Sequence, residues 1–261
     1  MSDPTGSTTT ASVSLTTDIG EGFGKWALAD DDALLKIVTS ANVACGFHAG
    51  DPDIMRRTCQ TAAANGVAVG AQVSYRDLAG FGRRYLAIPR ESLVNDLLYQ
   101  IGALDGFARA AGIRVTYVRA HGALYNVAAN DTEHAAALVE ATRLFDPSLP
   151  VLCQPGTAVW ELAGRAGITA VAEGFVDRAY TAEGLLVPRS HRDALVTDPR
   201  VAAERAVRMV VDGRVTSLDG VTVAIQPRSL LVHCDTPGAV AIALAARDAL
   251  LAAGVRLVPQ S

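Results

Sequence analysis

The chain has 261 residues, of which 50% are hydrophobic, 19% charged and 5% aromatic, and its formal net charge at pH 7 is −4. A chain of this length forms one large domain or two small ones, and this composition excludes global disorder. The net negative charge argues against nucleic acid or an anionic membrane surface as the main partner.

Strand-like and helix-like segments alternate along the chain. Apolar, β-branched runs predict strands at residues 13–18, 37–44, 67–73, 115–120, 151–153, 168–172 and 229–233. Helical patterns predict helices at residues 30–37, 51–66, 91–111, 132–145, 157–166, 200–211 and 237–253. The second helix has the clearest signals, because Asp51 and Pro52 suit its first turn and Gly66 suits its end.

This alternation predicts an α/β fold with a mainly parallel sheet, whose core is filled by Val, Leu, Ile and Ala. At this length we expect a single-domain TIM-like (β/α) barrel over residues 13–261 rather than an open sheet. We expect it to be incomplete, with about seven strands. Residues 1–12 are expected to form a flexible tail.

The sequence lacks the motifs of disulfide or zinc sites, of membrane or secretory segments and of a Walker A loop. The cysteines at positions 45, 59, 153 and 234 form no CxxC pair, which argues against disulfides or structural zinc and favours reduced thiols. No apolar run reaches the ~20 residues of a membrane span, and the N-terminus lacks a secretory h-region, so we expect a cytoplasmic protein. The Gly24-Lys25 pair is not part of a Walker A loop, because Ile19 and Trp26 replace required residues.

Polar side chains lie at or just after the predicted strand ends. In a parallel barrel, the C-terminal ends of the strands carry the active site, so these residues are the site candidates. They are Asp18 and Glu21 after the first strand, Asn42 and His48 at the second, Arg119, His121 and Tyr125 at the fourth, Asp177 and Arg178 after the sixth, and His233 and Asp235 at the last.

The chain has five histidines, and His48, His121 and His233 fall just past predicted strands. One such histidine alone is more often structural, but three on one rim favour a shared site, and imidazole suits proton transfer near neutral pH. Asp18 is the predicted acidic partner, with a turn-capping role as an equal alternative. Because two histidines and one carboxylate often bind a divalent metal, the sequence leaves metal binding at Asp18, His48 and His121 open.

Three short loops are rich in glycine: GEGFG, ACGFHAGD and AGFG. Glycine lets a ligand approach bare backbone N–H groups, and helix starts favour anions. We therefore predict that His48 lies on a glycine-flanked turn and faces a pocket for an anionic small molecule.

Longer segments match the motifs of one family. They are DIGEGFGKW, DDALLKIVTSANVACGFHAGDP, GVAVGAQVSYRDLAGFGRR, YQIGAL, HGALYN, DRAY and VHCDTPGAV. Over nearly its whole length the chain resembles the LamB/YcsF family, which implies an incomplete TIM-like barrel. The resemblance also implies a 5-oxoprolinase activity shared with two further subunits, B and C. In that reaction the lactam ring of 5-oxo-L-proline is opened to L-glutamate, and ATP with Mg²⁺ is the co-substrate.

Under this hypothesis Asp18, His48 and His121 form the catalytic centre, with one histidine acting as general base or stabilising an oxyanion. The resemblance assigns substrate or ATP binding to the other matching positions, which are Glu21, Asn42, Tyr125, Asp177, Arg178, His233 and Asp235. The same role is expected of Arg119, which keeps the positive charge of the residue it replaces.

The chain departs from the family motifs at seven positions, which are Thr16, Thr17, Gln72, Val73, Arg119, Ala120 and Cys234. Gln72 replaces a histidine and so removes a potential ligand, and Arg119 replaces a lysine, which keeps the charge but changes its shape. These changes suggest a divergent paralogue with the same fold and reaction type. Two alternatives stay open: a metal-dependent deacetylase or hydrolase of a small amide, and a non-catalytic binding subunit.

Overall fold

The computed structural model describes residues 11–260 of the chain. Its strands are β1 (Ser12–Ile19), β2 (Ser40–Ala44), β3 (Ala68–Val73), β4 (Val115–Ala120), β5 (Val151–Cys153), β6 (Ala170–Phe175), β7 (Arg214–Thr216), β8 (Thr222–Ala224), β9 (Ser229–Val232) and β10 (Arg256–Leu257). Its α-helices are α1 (Asp31–Leu34), α2 (Pro52–Asn65), α3 (Arg90–Ala110), α4 (Gly122–Ala128), α5 (Thr132–Phe145), α6 (Ala158–Arg165), α7 (Pro199–Val211) and α8 (Ala239–Ala252).

Within residues 11–260, seven parallel strands close into a barrel in the order β1-β2-β3-β4-β5-β6-β9, and β9 pairs again with β1. The predicted single-domain TIM-like barrel is therefore confirmed. The register places Asp18 of β1 beside Asn42 of β2, and Gln72 of β3 beside Arg119 of β4. Polar residues from neighbouring strands thus lie at the same height near the C-terminal ends of the barrel strands.

The barrel strands are apolar because both of their faces are covered. Every residue of β2 and β9 is buried. On β3, Gly70 leaves room for the ring of Tyr117, since a Cβ atom at position 70 would lie 2.1 Å from that ring. The Tyr117 hydroxyl donates to Asn42 Oδ1 at 2.8 Å, so this large side chain fills the barrel below the polar layer and holds one of its members.

The predicted caps of α2 are confirmed. The Asp51 side chain accepts from the Ile54 N–H at 2.9 Å, and Pro52 occupies the first turn. Gly66 ends the helix in a left-handed conformation, with φ of 67°. Such caps satisfy backbone groups that a helix end leaves without partners.

The structure differs from the sequence-based boundaries at several elements. The strand predicted at residues 37–44 begins only at Ser40, and the helix predicted at residues 30–37 ends at Leu34. The sixth barrel strand is Ala170–Phe175 rather than 168–172, and α4, the antiparallel β7–β8 hairpin and β10 were not predicted. These additional elements are short, and α4 has no side-chain cap at its start, so none carries a strong local pattern. Of the predicted tail over residues 1–12, positions 1–10 lie outside the described residues, and Ser12 already belongs to β1.

The cysteines at positions 45, 59, 153 and 234 are buried free thiols, as predicted. Burial raises the pKa of Cys59 to about 11, so this thiol stays protonated at neutral pH. None of the helices between residues 11 and 260 is both long and apolar enough to cross a membrane.

Asp31 gives a stability prediction. Its Oδ2 accepts from the Gly20 N–H at 3.0 Å, and burial, opposed by that bond, raises the pKa of Asp31 to about 6. Between pH 4 and 6 the folded chain therefore binds more protons than the unfolded chain, so stability falls as pH rises through this window. We expect Asp31→Asn, which keeps an oxygen acceptor for Gly20, to raise the free energy of unfolding at pH 7 by about 2 kcal/mol.

Urea unfolding from pH 4 to 7.5 measures this effect, with exposed Asp32→Asn as the matched control. The Asp31→Asn gain should be absent near pH 4 and full above pH 6. A gain of the same size at every pH would show that charge burial is not its cause.

Candidate active site

Two imidazoles and a carboxylate form a buried cluster past the strand ends. Glu21 Oε1 lies 3.2 Å from His121 Nδ1 and 3.6 Å from His48 Nε2. The two imidazole rings stack with their centroids 4.0 Å apart. We call Glu21, His48, His121 and the adjacent Gln72 the histidine cluster.

Gln72 binds two members of the histidine cluster at once. Its Nε2 donates to Glu21 Oε1 at 2.9 Å and lies 3.0 Å from His121 Nδ1. On the other side of the ring, His121 Nε2 lies 3.0 Å from the carbonyl oxygen of Phe81. Because a carbonyl only accepts, Nε2 carries the proton, and because an amide nitrogen only donates, Nδ1 accepts from Gln72.

Glu21 is the ionised carboxylate of this cluster. Burial acts to raise the pKa of Glu21, but His121 and His48 outweigh it and hold this pKa well below its usual range. Burial and the neighbouring His121 lower the pKa of His48 to about 4, so His48 is neutral at pH 7. The Cys234 thiol donates to Glu21 Oε2 at 3.1 Å. The carboxylate is therefore held from both of its oxygens.

Glycines bring the loops around the histidines into close contact. A Cβ atom at Gly82 would lie 2.8 Å from the Cβ of His48, and one at Gly122 would lie 2.5 Å from the carbonyl oxygen of Gly82. Both glycines have positive φ, of 65° and 61°. At these two positions glycine lets loops of the chain pack closely against each other. The sequence instead predicts that glycine lets a ligand approach the backbone.

A second polar group, the arginine cluster, consists of Asp18, Asn42, Arg119 and Glu173. Arg119 Nε donates to Glu173 Oε1 at 2.7 Å, and its Nη1 lies 3.5 Å from Asp18 Oδ1. Asn42 Nδ2 donates to Asp18 Oδ1 at 3.0 Å. The guanidinium also lies over the Tyr125 ring, 5.0 Å from its centroid. Burial acts to lower the pKa of Arg119, but Glu173 and Asp18 raise it, so this side chain stays charged.

The predicted pairing of Asp18 with His48 and His121 is wrong, because Glu21 is the carboxylate beside the histidines. Asp18 lies inside β1, whereas both histidines follow the last residues of their strands. Glu21 follows the end of β1, beyond a turn at Gly20, and therefore lies level with the two histidines along the barrel axis.

The predicted residues Asp177 and His233 form a third group. Asp177 Oδ1 lies 3.0 Å from His233 Nδ1, and Asp177 Oδ2 accepts from the His233 backbone N–H at 3.0 Å. Burial acts to raise the pKa of Asp177, but His233 and the Thr236 hydroxyl outweigh it, so the pKa is lowered. The imidazole stacks on the Phe175 ring at 5.8 Å. A carboxylate bound to one imidazole nitrogen leaves the other for chemistry, as in an acid–base pair.

Arginines surround the mouth of the adjoining cavity. Asp235 accepts from Arg83 Nη2 at 2.6 Å and from Arg189 Nη1 at 3.2 Å. Arg178 Nη2 donates to the Val187 carbonyl at 2.6 Å, and burial lowers the pKa of Arg178 to about 10. Arg178 therefore remains protonated at pH 7, and three guanidinium groups at one mouth favour an anion.

A cavity of about 570 Å³ opens at this end of the barrel. Among the predicted site residues, its walls include Asp18, Arg119, His121, Tyr125, Arg178 and His233. The other five predicted site residues lie outside the cavity wall, and each contacts a residue of the wall or another of the five. They are Glu21, Asn42, His48, Asp177 and Asp235. These five therefore hold residues of the cavity walls in place.

Sequence reasoning did not select Glu173, which holds Arg119, or the cavity-lining Arg189. Glu173 could have been found, because a lone acidic residue in the apolar run AVAEGF needs a buried cation as partner. Arg189 carries no comparable signal, since it lies in a polar loop.

The structure is an α/β barrel with a polar cavity at the C-terminal ends of its strands. In proteins of this class, that end of the barrel carries the active site. The LamB/YcsF family model matches residues 13–261, and the chain belongs to the LamB/YcsF family. It is similar to the A subunit of 5-oxoprolinase from Streptomyces coelicolor, at 56% identity over 93% of this chain and 97% of the relative. The corresponding 5-oxoprolinase chain of Mycobacterium avium is 54% identical over 95% of this chain and 98% of the relative.

A solved structure supports the fold in detail. The crystal structure of a lactam utilization protein from Thermus thermophilus matches with a TM-score of 0.91 and 45% sequence identity, and it covers 95% of this chain and 99% of that chain. The recognition of the family from sequence motifs is therefore confirmed, whereas the roles assigned to single residues stay predictions.

Proposed function

We propose that this chain is the A subunit of an ATP-dependent 5-oxoprolinase, which opens 5-oxo-L-proline to L-glutamate while ATP is cleaved to ADP and phosphate. The observation that carries the proposal is the 56% identity, over 93% of the chain, with a protein named as the A subunit of 5-oxoprolinase. Because that name specifies one subunit, we further propose that the chain acts with B and C subunits, in the cytoplasm and with Mg-ATP.

The cavity supports this proposal through its size and charge. Its volume of about 570 Å³ lies in the range of sites for small molecules. 5-Oxo-L-proline carries one carboxylate, and ATP carries a chain of phosphates. Arg83, Arg178 and Arg189 line the cavity and offer guanidinium groups that suit either anion.

The chemistry needs an activated carbonyl, since a lactam is a stable amide with a poor leaving group. Transfer of a phosphoryl group from ATP to the lactam oxygen makes an imidate-like species, which water attacks more readily. The carbon–nitrogen bond then breaks and the nitrogen takes up a proton, which leaves an acyl phosphate. A second water hydrolyses this acyl phosphate to the free carboxylate and phosphate. In this scheme His233, held by Asp177, is the best placed general base, because it lines the cavity with one nitrogen already bound.

The test is glutamate release from 5-oxo-L-proline with Mg-ATP. The B and C subunits should come from a 5-oxoprolinase with a known active A subunit, which serves as the positive control. We expect glutamate and ADP only when this chain, B and C are combined, and neither product from the chain alone or from B with C.

A silent mixture would contradict the proposal if the control A subunit were active with the same B and C. A panel of other lactams would then separate a divergent paralogue from a binding subunit, since only the former would release product from one of them.

A further inference from the structure

The histidine cluster has the spacing of a metal site. Two ligands of a tetrahedral zinc ion lie about 3.4 Å apart when each bond is about 2.1 Å. Glu21 Oε1 lies 3.2 Å from His121 Nδ1 and 3.6 Å from His48 Nε2, on either side of that value. One donor atom from each of the three residues lies within 4.8 Å of the others. These atoms can therefore bind one ion without moving far.

His48 supplies an independent observation. Its side chain is buried, and within the described residues neither ring nitrogen has a hydrogen-bond partner. A buried polar atom without a partner is destabilising. One of these nitrogens, Nε2, points at the Glu21 carboxylate from 3.6 Å, which is too long for a hydrogen bond. The position of this nitrogen is explained if it binds an ion.

The groups around the cluster orient the ligands as metal sites require. His121 donates its Nε2 proton to the Phe81 carbonyl, which leaves Nδ1 unprotonated and facing Glu21. The Cys234 thiol donates to Glu21 Oε2, which leaves Oε1 for the ion. Such outer bonds fix the tautomer and orientation of metal ligands.

We propose that Glu21, His48 and His121 bind one divalent transition-metal ion, of the zinc, cobalt or manganese type, and that Gln72 is its fourth protein ligand. Two imidazoles with one carboxylate suit these ions better than Mg²⁺ or Ca²⁺. The site is distinct from the Mg²⁺ that accompanies ATP, and it holds for this cluster whichever substrate the cavity takes.

Gln72 can turn either end of its amide toward the site. Its amide nitrogen donates to Glu21 and His121, while its Oε1 has no partner within the described residues. Rotating the amide by half a turn exchanges its oxygen and nitrogen, which are nearly the same in shape. The oxygen then lies beside Glu21 Oε1 and His121 Nδ1, where it can bind the ion.

Metal titration of the full chain tests the site. Protein stripped with a chelator is titrated with Zn²⁺ and with Co²⁺, and bound metal is measured by elemental analysis and by the visible absorption of protein-bound Co²⁺. We expect one ion per chain, bound through nitrogen and oxygen ligands. His48→Leu should lower the affinity by more than about 100-fold, beyond the loss typical of an outer-shell partner.

Two features keep the test decisive. His48→Leu removes two nitrogens without partners, so the metal-free variant should melt no lower than the wild type. His191→Asn, in a surface loop, is the matched control and should bind the metal ion as tightly as the wild type. A wild-type chain without a stoichiometric ion, or a His48→Leu variant that binds as tightly as wild type, would overturn the proposal. Because the readout is metal content, a failed glutamate assay does not affect it.

Discussion

Replacing His233 with asparagine is expected to lower the turnover of the reconstituted enzyme by about 10²–10⁴-fold, the usual contribution of a general base. His233 lines the cavity, and Asp177 binds its Nδ1 at 3.0 Å. Asparagine at position 233 retains a group that can pair with Asp177 but cannot take a proton from water. The measurement is kcat for glutamate release at saturating 5-oxo-L-proline and Mg-ATP.

Asp177→Asn is the companion variant. It removes the carboxylate that orients His233, and it should lower kcat at neutral pH while changing the pH profile more than KM. His191→Asn changes an exposed histidine and should leave kcat within about twofold of wild type. A His233→Asn variant that folds normally and keeps wild-type kcat would exclude the base role. Attention would then turn to His121, which also lines the cavity.

Much of the fold could be predicted from the sequence because its signals are local. Asp51, Pro52 and Gly66 mark both ends of α2 within the sequence itself, and the structure uses each of them as predicted. The alternation of apolar runs with helices predicted the parallel barrel. The β7–β8 hairpin and β10 were not predicted, because strands of three and two residues are too short to show a period of two.

The sequence predicted where the site residues lie in the barrel but not which of them contact one another. The rule that strand ends carry the site selected His48, His121 and His233 correctly as residues at one end of the barrel. It did not show that Glu21 rather than Asp18 contacts the first two, because that depends on how far beyond β1 the chain turns. Partners across the barrel are separated by many residues, so sequence spacing carries no information about them.

Gln72 shows the same limit. From the sequence, glutamine in place of a histidine signified the loss of a potential ligand. In the structure its amide connects Glu21 and His121, so the substitution replaces an imidazole with a group that still contacts both. The departure from the family motif is therefore compatible with a working site. Gln72→His, measured in the glutamate assay, shows how much rate the substitution changes.

Loss of the buried Arg119 side chain should lower stability strongly. Its guanidinium is buried between Glu173, at 2.7 Å, and Asp18, at 3.5 Å, and no other cation is bonded to either carboxylate within residues 11–260. Arg119→Met keeps much of the side-chain volume but leaves two buried carboxylates without a counter-charge. Breaking a buried ion pair in this way costs about 3–5 kcal/mol. Urea unfolding at pH 7 should show that loss.

The double variant Arg119→Met with Glu173→Gln separates charge from packing. If the lost stability comes from uncompensated charge, the neutral amide should restore part of it, because it removes one of the two unpaired carboxylates while Asp18 still lacks a counter-charge. Glu173→Gln alone should cost less than Arg119→Met, since Asp18 still neutralises the arginine. A double variant as unstable as the sum of the two single variants would show that the arginine acts through its packing on Tyr125 and Phe175.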